Sequence, residues 1–220
     1  MTQTIKRPPV KETVGAQYVC FTNNEDASEF TGEYETTVEK TETVKKVGIT
    51  ENGESTPVRA SGKTYMNASS TSGTEISVEV VAFPAETIAR MRSDRLTETG
   101  LILSGGNRTR PRFAYGKVVH MHGGLRRFDW YPNCQLSANT DDIETSDTSF
   151  KEQNDTLTIS AMPFNDDGDV VVSIKEDYKI PEGLTEEIFF AAPILSEKDL
   201  KERLAGAGAP NEELPTEGDA

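Results

Sequence analysis

Residues 75–83 read EISVEVVAF, and the apolar residues fall on every second position. Ile76, Val78 and Val80 share one side, and Glu75, Ser77 and Glu79 share the other. That period belongs to a half-buried strand, because successive side chains of a strand point to opposite faces. It constrains the fold most because strand-like stretches recur along the chain. Residues 17–22 (QYVCFT), 101–103, 112–122, 126–136, 156–162 and 170–176 all read as strands. Gly123 and Gly124 mark a hairpin turn between two of them, and Asn165 to Gly168 (NDDG) marks another. Strands at this spacing predict a mainly β fold, a sandwich or barrel.

The segments between the strands complete the outline. Pro8 and Pro9 keep residues 1–15 out of regular helix and make them an extended arm. Residues 33–49 are rich in Thr, Val and Glu and read as extended, and residues 51–73 are polar and read as one long loop. Pro84 opens one short flanking helix, PAETIARMRSD, with Glu86 in its first turn, Arg90 and Arg92 toward its end, and Ile88 and Met91 on its apolar side. Residues 137–150 form an acidic loop. Ser196 with Asp199 starts a second short helix, followed by an acidic tail expected to be disordered in isolation. The expected units are an arm (1–15), a β-sandwich domain (16–195) and a C-terminal helix with a flexible tail (196–220). Phe128, Trp130, Cys134 and Leu136 share parity and should form one core-facing row, with Ile159 joining the same core.

At 220 residues and 24.1 kDa, the chain is long enough to bury roughly 70% of its unfolded surface without a disulfide or metal staple. Hydrophobic content of 35% and a mean hydropathy of -0.55 are low for a globular protein but above the range of full disorder. No stretch approaches the ~20 apolar residues of a membrane span, and MTQTIKRPPVKETVG lacks the apolar core of a signal peptide. The expectation is a soluble chain made in the cytoplasm, without a membrane anchor.

The formal net charge is -14, which argues against a nucleic-acid binder, since duplex affinity comes from counterion release by Lys and Arg. The charge is uneven. Residues 1–88 carry net -5, residues 89–127 net +7 and residues 128–220 net -16. The basic block comprises Arg90, Arg92, Arg95, Arg108, Arg110, Arg112, Lys117, Arg126 and Arg127. A compact basic block inside an acidic chain suits a ligand site or a surface that meets an acidic face of another copy.

No constellation supports catalysis. His120 and His122 form an HxH pair with Gly116 upstream, as in a cupin metal site. Position 126, where the cupin pattern needs Glu, is Arg, and the chain has no third His. Gly105, Gly106 and Asn107 lack the Gly-Lys-Ser/Thr of a phosphate loop. Cys20 and Cys134 fit no metal or redox spacing and read as buried thiols, and nothing in spacing supports a Cys134–His120 pair. The acidic clusters at 141–144 and 166–169 do not complete an EF-hand loop. The chain is expected to be neither an enzyme nor a carrier of any cofactor.

Three segments carry a resemblance to a known family. TYMNASSTSGTEISVEVVAFPAETIARM has a tyrosine-containing polar loop, an alternating strand, then Pro and a short helix. RPRFAYGKVVHMHGGLRRFDWYPNCQLS has paired strands around a glycine turn and ends on a Trp-Tyr strand. DTSFKEQNDTLTISAMP has an acidic turn followed by a Thr-Ile-Ser-Ala strand. Together they resemble the major tail protein (tail tube protein) family of long-tailed, non-contractile bacteriophages over just under half of the chain. The acidic tail and the charged N-terminal third depart from that family.

The resemblance implies a β-sandwich or barrel whose copies form rings, hexameric in that family, that stack into a tube for DNA delivery into a host. It implies a virion location, other tail proteins such as tape measure and terminator as partners, and DNA that passes without specific binding. It also implies that residues 51–73 are an inter-ring loop, with Tyr65 and Asn67 as self-assembly candidates. The expected basic contact surface is Arg108, Arg110, Arg112, Arg126 and Arg127, facing acidic residues of a neighbouring copy. Strands that need edge partners and opposed charge blocks agree with head-to-tail stacking, and the overall negative charge suits a passage to which DNA must not stick. The same fold serves tube proteins of secretion or bacteriocin injection machines. A carbohydrate-binding sandwich is a further alternative, with Trp130 the only tryptophan platform.

Overall fold

The computed structural model describes residues 7–24, 29–60, 63–106, 108–145 and 153–207, without the side chains of residues 52, 54–60 and 63–72. The elements are β1 (Lys11–Phe21), β2 (Glu39–Thr41), β3 (Val44–Ala60), β4 (Lys63–Val80), α1 (Ala85–Met91), β5 (Arg95–Leu96), β6 (Ile102–Leu103), β7 (Arg112–Met121), β8 (Leu125–Asp141), β9 (Asp155–Ala161), β10 (Val172–Lys175), α2 (Glu186–Phe190) and α3 (Glu197–Ala207). The protein is mainly β. One antiparallel sheet runs in the order β2-β1-β7-β8-β9-β4-β3, with β10 added beside β8, and β5 and β6 form a separate small pair. The sheet is not a closed barrel, since β2 and β3 end it. Among the described residues no helix is long and apolar enough to cross a membrane.

Each face of this sheet buries its own core. On one face Val19 and Phe21, Phe113 and Tyr115, Tyr131, Cys134 and Leu136, Leu157 and Ile159, and Ile76, Val78 and Val80 pack together, with Met91 of α1 among them. On the other face Ala16, Tyr18, Ala114, Val118, Phe128 and Trp130 are covered by Leu184, Phe189, Phe190 and Ile194. The central strand β7 is therefore flanked by both cores, and its residues from Phe113 to Val119 are all buried.

The second core is tightly fitted. Phe190 stacks parallel on Tyr18 with ring centroids 3.9 Å apart, and Trp130 Nε1 donates to the Phe189 carbonyl at 3.1 Å. Gly116 lies beneath both rings. A Cβ there would stand 2.8 Å from Phe190 Cε1 and 3.0 Å from Trp130 Cε3, so glycine is what lets the aromatic layer close on β7.

Phe128, Trp130, Leu136 and Ile159 are all buried, but Phe128 and Trp130 do not share a core with Cys134 and Leu136 as the parity along their strand predicts. Tyr115 faces Tyr131 and Phe113 faces Cys134, so three steps on β8 match two on β7. This bulge at Pro132 and Asn133 flips the alternation. Phe128 and Trp130 then face the α2 side, and Cys134 and Leu136 face the α1 side. The bulge also divides the partners of β8, which pairs with β10 before it and with β9 after it.

Other expectations change as well. Residues 51–73 are not a loop, because Glu51 to Ala60 pair with Thr74 to Lys63 in the β3–β4 hairpin. The acidic stretch 137–150 begins inside β8, which runs to Asp141, and residues 146–150 lie outside the described residues. The helix expected alone beside the sheet, α1, is joined by α2, whose N-cap Thr185 Oγ1 accepts from Ile188 N at 3.3 Å. α3 starts where Ser196 and Asp199 exchange bonds of 3.2 and 2.8 Å. The arm before Arg7 and the tail after Ala207 lie outside the described residues; residues 11–15 belong to β1.

Candidate self-assembly surface

The β3–β4 hairpin is longer than the sheet that anchors it. β9 pairs with β4 only from Thr74 to Val80. Beyond that rung, among the described residues, Asn52–Ala60 and Lys63–Gly73 pair with each other alone. About ten residues at ~3.3 Å each make a two-stranded ribbon reaching roughly 33 Å past the sheet. Its composition is polar. Ser, Thr, Asn and Gly dominate, with Val58 and Tyr65 among few large apolar residues. A ribbon of this kind is marginally stable by itself in water. β3 is also an end strand, so its outer edge presents unpaired backbone groups along its length. Tyr65 and Asn67 lie on this ribbon, Asn67 opposite Pro57, and their side chains are outside what the structure describes.

Where the sheet stays open, β3 and the start of β1 face each other across a cleft of about 400 Å³, floored by Lys117, Val119 and Arg127. The floor is charged, and its lysine is buried. Lys117 of β7 pairs with the directly opposed Asp129 of β8, and both are about 1% exposed. Asp129 also accepts from Arg127 Nε at 2.9 Å and from Ser173 Oγ at 2.6 Å. Burial lowers the pKa of Lys117. Burial alone would raise that of Asp129, but Lys117, Arg127 and the hydrogen bonds outweigh it and hold the carboxyl below its usual range. Two cations thus share one buried carboxylate.

The expected basic patch is not one surface. Arg112 opens β7 opposite Gln135, while Arg126 lies opposite His120 at the far end of the same hairpin. Eight residues of strand put these sites ~26 Å apart. Most of the arginines are also occupied within the chain. Arg110 donates to the Leu136 and Ser137 carbonyls at 2.7 and 2.6 Å, and Arg112 to Asn133 Oδ1 at 2.6 Å. Arg126 pairs with Glu176 at 3.1 Å, Arg127 with Asp129 at 2.8 Å, and Arg108 donates to the Ser93 carbonyl at 2.9 Å. Arg90 binds Glu35 in bidentate fashion and lies 4.0 Å from the Phe21 ring centroid, which ties α1 to the segment before β2. The block that looks like a contact surface in sequence is largely internal bracing.

The cations that do collect on a surface come from elsewhere. Lys11, Lys45 and Lys46 line the cleft, and Lys175 lines the hollow that continues it past Arg127 toward β10. Sequence reasoning missed them because they are scattered over three strands, and only cross-strand register brings them together. A second exposed feature is aliphatic. Leu96, Leu101, Ile102 and Leu103, in and beside the β5–β6 pair, are 38–60% exposed.

The histidines and cysteines stay apart from any such chemistry. His122 Nδ1 lies 2.6 Å from Glu12 Oε1 at the surface, and His120 sits against Gly15. Cys20 and Cys134 are free and buried, in different cores; burial pushes the Cys20 thiol up to about 12. Among the described residues no group of three His, Cys, Asp or Glu is arranged to hold a metal.

No family model matches the chain, and no curated protein does. Among solved structures, a chain of the six-fold symmetrised cryo-EM structure of the anti-feeding prophage baseplate is similar at 11% identity and a TM-score of 0.39. The match covers 77% of this chain and 97% of that one. A likeness at that score leaves the reading of this surface to its own residues.

Proposed function

We propose that this chain is a structural subunit of a phage tail tube, which assembles into rings that stack around a channel for DNA. The observation that carries the reading is the β3–β4 ribbon, a two-stranded extension that pairs with no third strand among the described residues, continuous with an open sheet edge. Such an element is completed by strands of another copy, which satisfy the edge and bury the ribbon. A chain that closes its edges on copies of itself in a head-to-tail sense builds rings or open helical stacks. The negative charge of the chain fits a wall along which DNA slides without adhering. The order of motifs shared with the tail tube proteins supports the same reading. Copies would then meet tape measure and terminator proteins in the virion.

Negative-stain microscopy of the purified protein tests this. Rings or tubes of uniform diameter are expected at high protein concentration. A strictly monomeric protein at every concentration and salt tried would overturn the proposal.

A further inference from the structure

We propose that the lysine-rich cleft between β1 and β3 holds the acidic segment 208–220 of a neighbouring copy; this rests on the self-assembly reading above. The charge on the cleft is the first observation. Lys11, Lys45, Lys46, Lys117, Arg127 and Lys175 line it and the adjoining hollow, against Glu12, Glu51 and Asp129. Asp129 answers only part of the charge of Lys117 and Arg127. No carboxylate of the described residues pairs with Lys11, Lys46 or Lys175. In a chain of net charge -14, Lys11, Lys46 and Lys175 gathered along one opening make it a site for an anion.

The walls specify the form of that anion. Val14, Val47, Ile49 and Val119 add apolar surface between the lysines. The edges of β1 before Gln17 and of β3 pair with no strand on this side, so they offer backbone groups to an extended chain. The matching ligand is an extended peptide with several carboxylates and an apolar side chain. Segment 208–220, GAPNEELPTEGDA, has these features. Glu212, Glu213, Glu217 and Asp219 carry the charge, no Lys or Arg opposes them, and Leu214 supplies the apolar group. Pro210 and Pro215 bias the residues before them toward extended backbone.

The placement of α3 favours exchange between copies. Leu200 and Leu204 of α3 pack on the core that contains Trp130, on the sheet face opposite the one that carries Lys117 and Asp129. α3, which precedes that segment, therefore lies on the far side of the sheet from the floor of this chain's own cleft.

Zero-length carbodiimide cross-linking of the full chain tests the contact, because it joins an amine and a carboxylate only when they touch. Unlabelled and ¹⁵N-labelled chains are mixed before assembly, and linked peptides are read by mass spectrometry, with microscopy of the same sample. The expected result is mixed-isotope links from Lys11, Lys46 or Lys175 to Glu212, Glu213, Glu217 or Asp219. They should be lost in the triple variant K11E/K46E/K175E. They should also be lost when about 0.5 M salt shortens the screening length to about 4 Å. Links from these lysines to Asp141, Asp142 or Glu144, links confined to single-isotope pairs, or no links at all while tubes are present would each overturn the inference and leave the assembly reading intact. Absence of tubes from the unmodified protein would overturn both.

Discussion

Asp129 is the carboxylate on which Lys117, Arg127 and Ser173 converge inside the sheet. Removing it strands the buried Lys117 and the half-buried Arg127, whereas removing Lys117 leaves Asp129 with Arg127 and Ser173. Asp129→Asn should therefore cost about 3–5 kcal/mol, and Lys117→Met clearly less, in urea denaturation of the monomer. The pH dependence follows from the lowered pKa of Asp129. The folded-state pKa lies below the unfolded one, so the contribution is complete above about pH 3.9 and is lost as pH falls through the folded value. The gap in stability between the unmodified protein and Asp129→Asn should close in that acid range. At Gly116, alanine would press a Cβ into Phe190 and Trp130, and a loss of about 1–3 kcal/mol in the same assay is expected. Arg110→Glu should weaken the monomer itself by about 1–3 kcal/mol, since Arg110 holds the Leu136 and Ser137 carbonyls. An unchanged urea midpoint for Arg110→Glu would return that residue to the intermolecular surface. The burial of Trp130 was legible from its alternating neighbours. The face it occupies was not, because the bulge at Pro132 and Asn133 is defined only against β7.

At the scale of elements, β7, β8, β9 and the anchored half of β4 from Thr74 to Val80 were legible because their apolar rhythm is written locally. The ribbon was not. Its Ser, Thr and Gly content is what a loop also has, and only the paired register of Glu51–Ala60 with Lys63–Thr74 makes it a hairpin. α2 was missed because its five residues are too few to show a helical period, and it is held by Phe189 and Phe190 packing on the sheet. Replacing residues 52–72 by an Asn-Gly turn removes strand that no other part of the sheet pairs with. The shortened chain should keep the thermal midpoint of the monomer while losing assembly. Thermal denaturation with sedimentation velocity checks both halves. A shortened chain that still forms tubes would assign assembly to another surface, of which the exposed aliphatic β5–β6 pair is the first candidate.

For the whole molecule, the sheet is complete on its faces and incomplete at its margin. Both faces are buried within one chain, under α1 on one side and under α2 and α3 on the other. Among the described residues, the longest edge left unpaired is that of β3 with the ribbon that extends it, beside the shorter edges of β2 and of β1 before Gln17. That division assigns folding to the single chain and strand completion to neighbours. Amide hydrogen exchange of residues 51–60 and 63–73, compared between dilute monomer and concentrated assembled protein, tests this most directly. The account predicts fast exchange along the outer edge of β3 and the ribbon in the monomer and strong protection in the assembly, while β7 is protected in both. Equal exchange of the ribbon in monomer and assembly would contradict it.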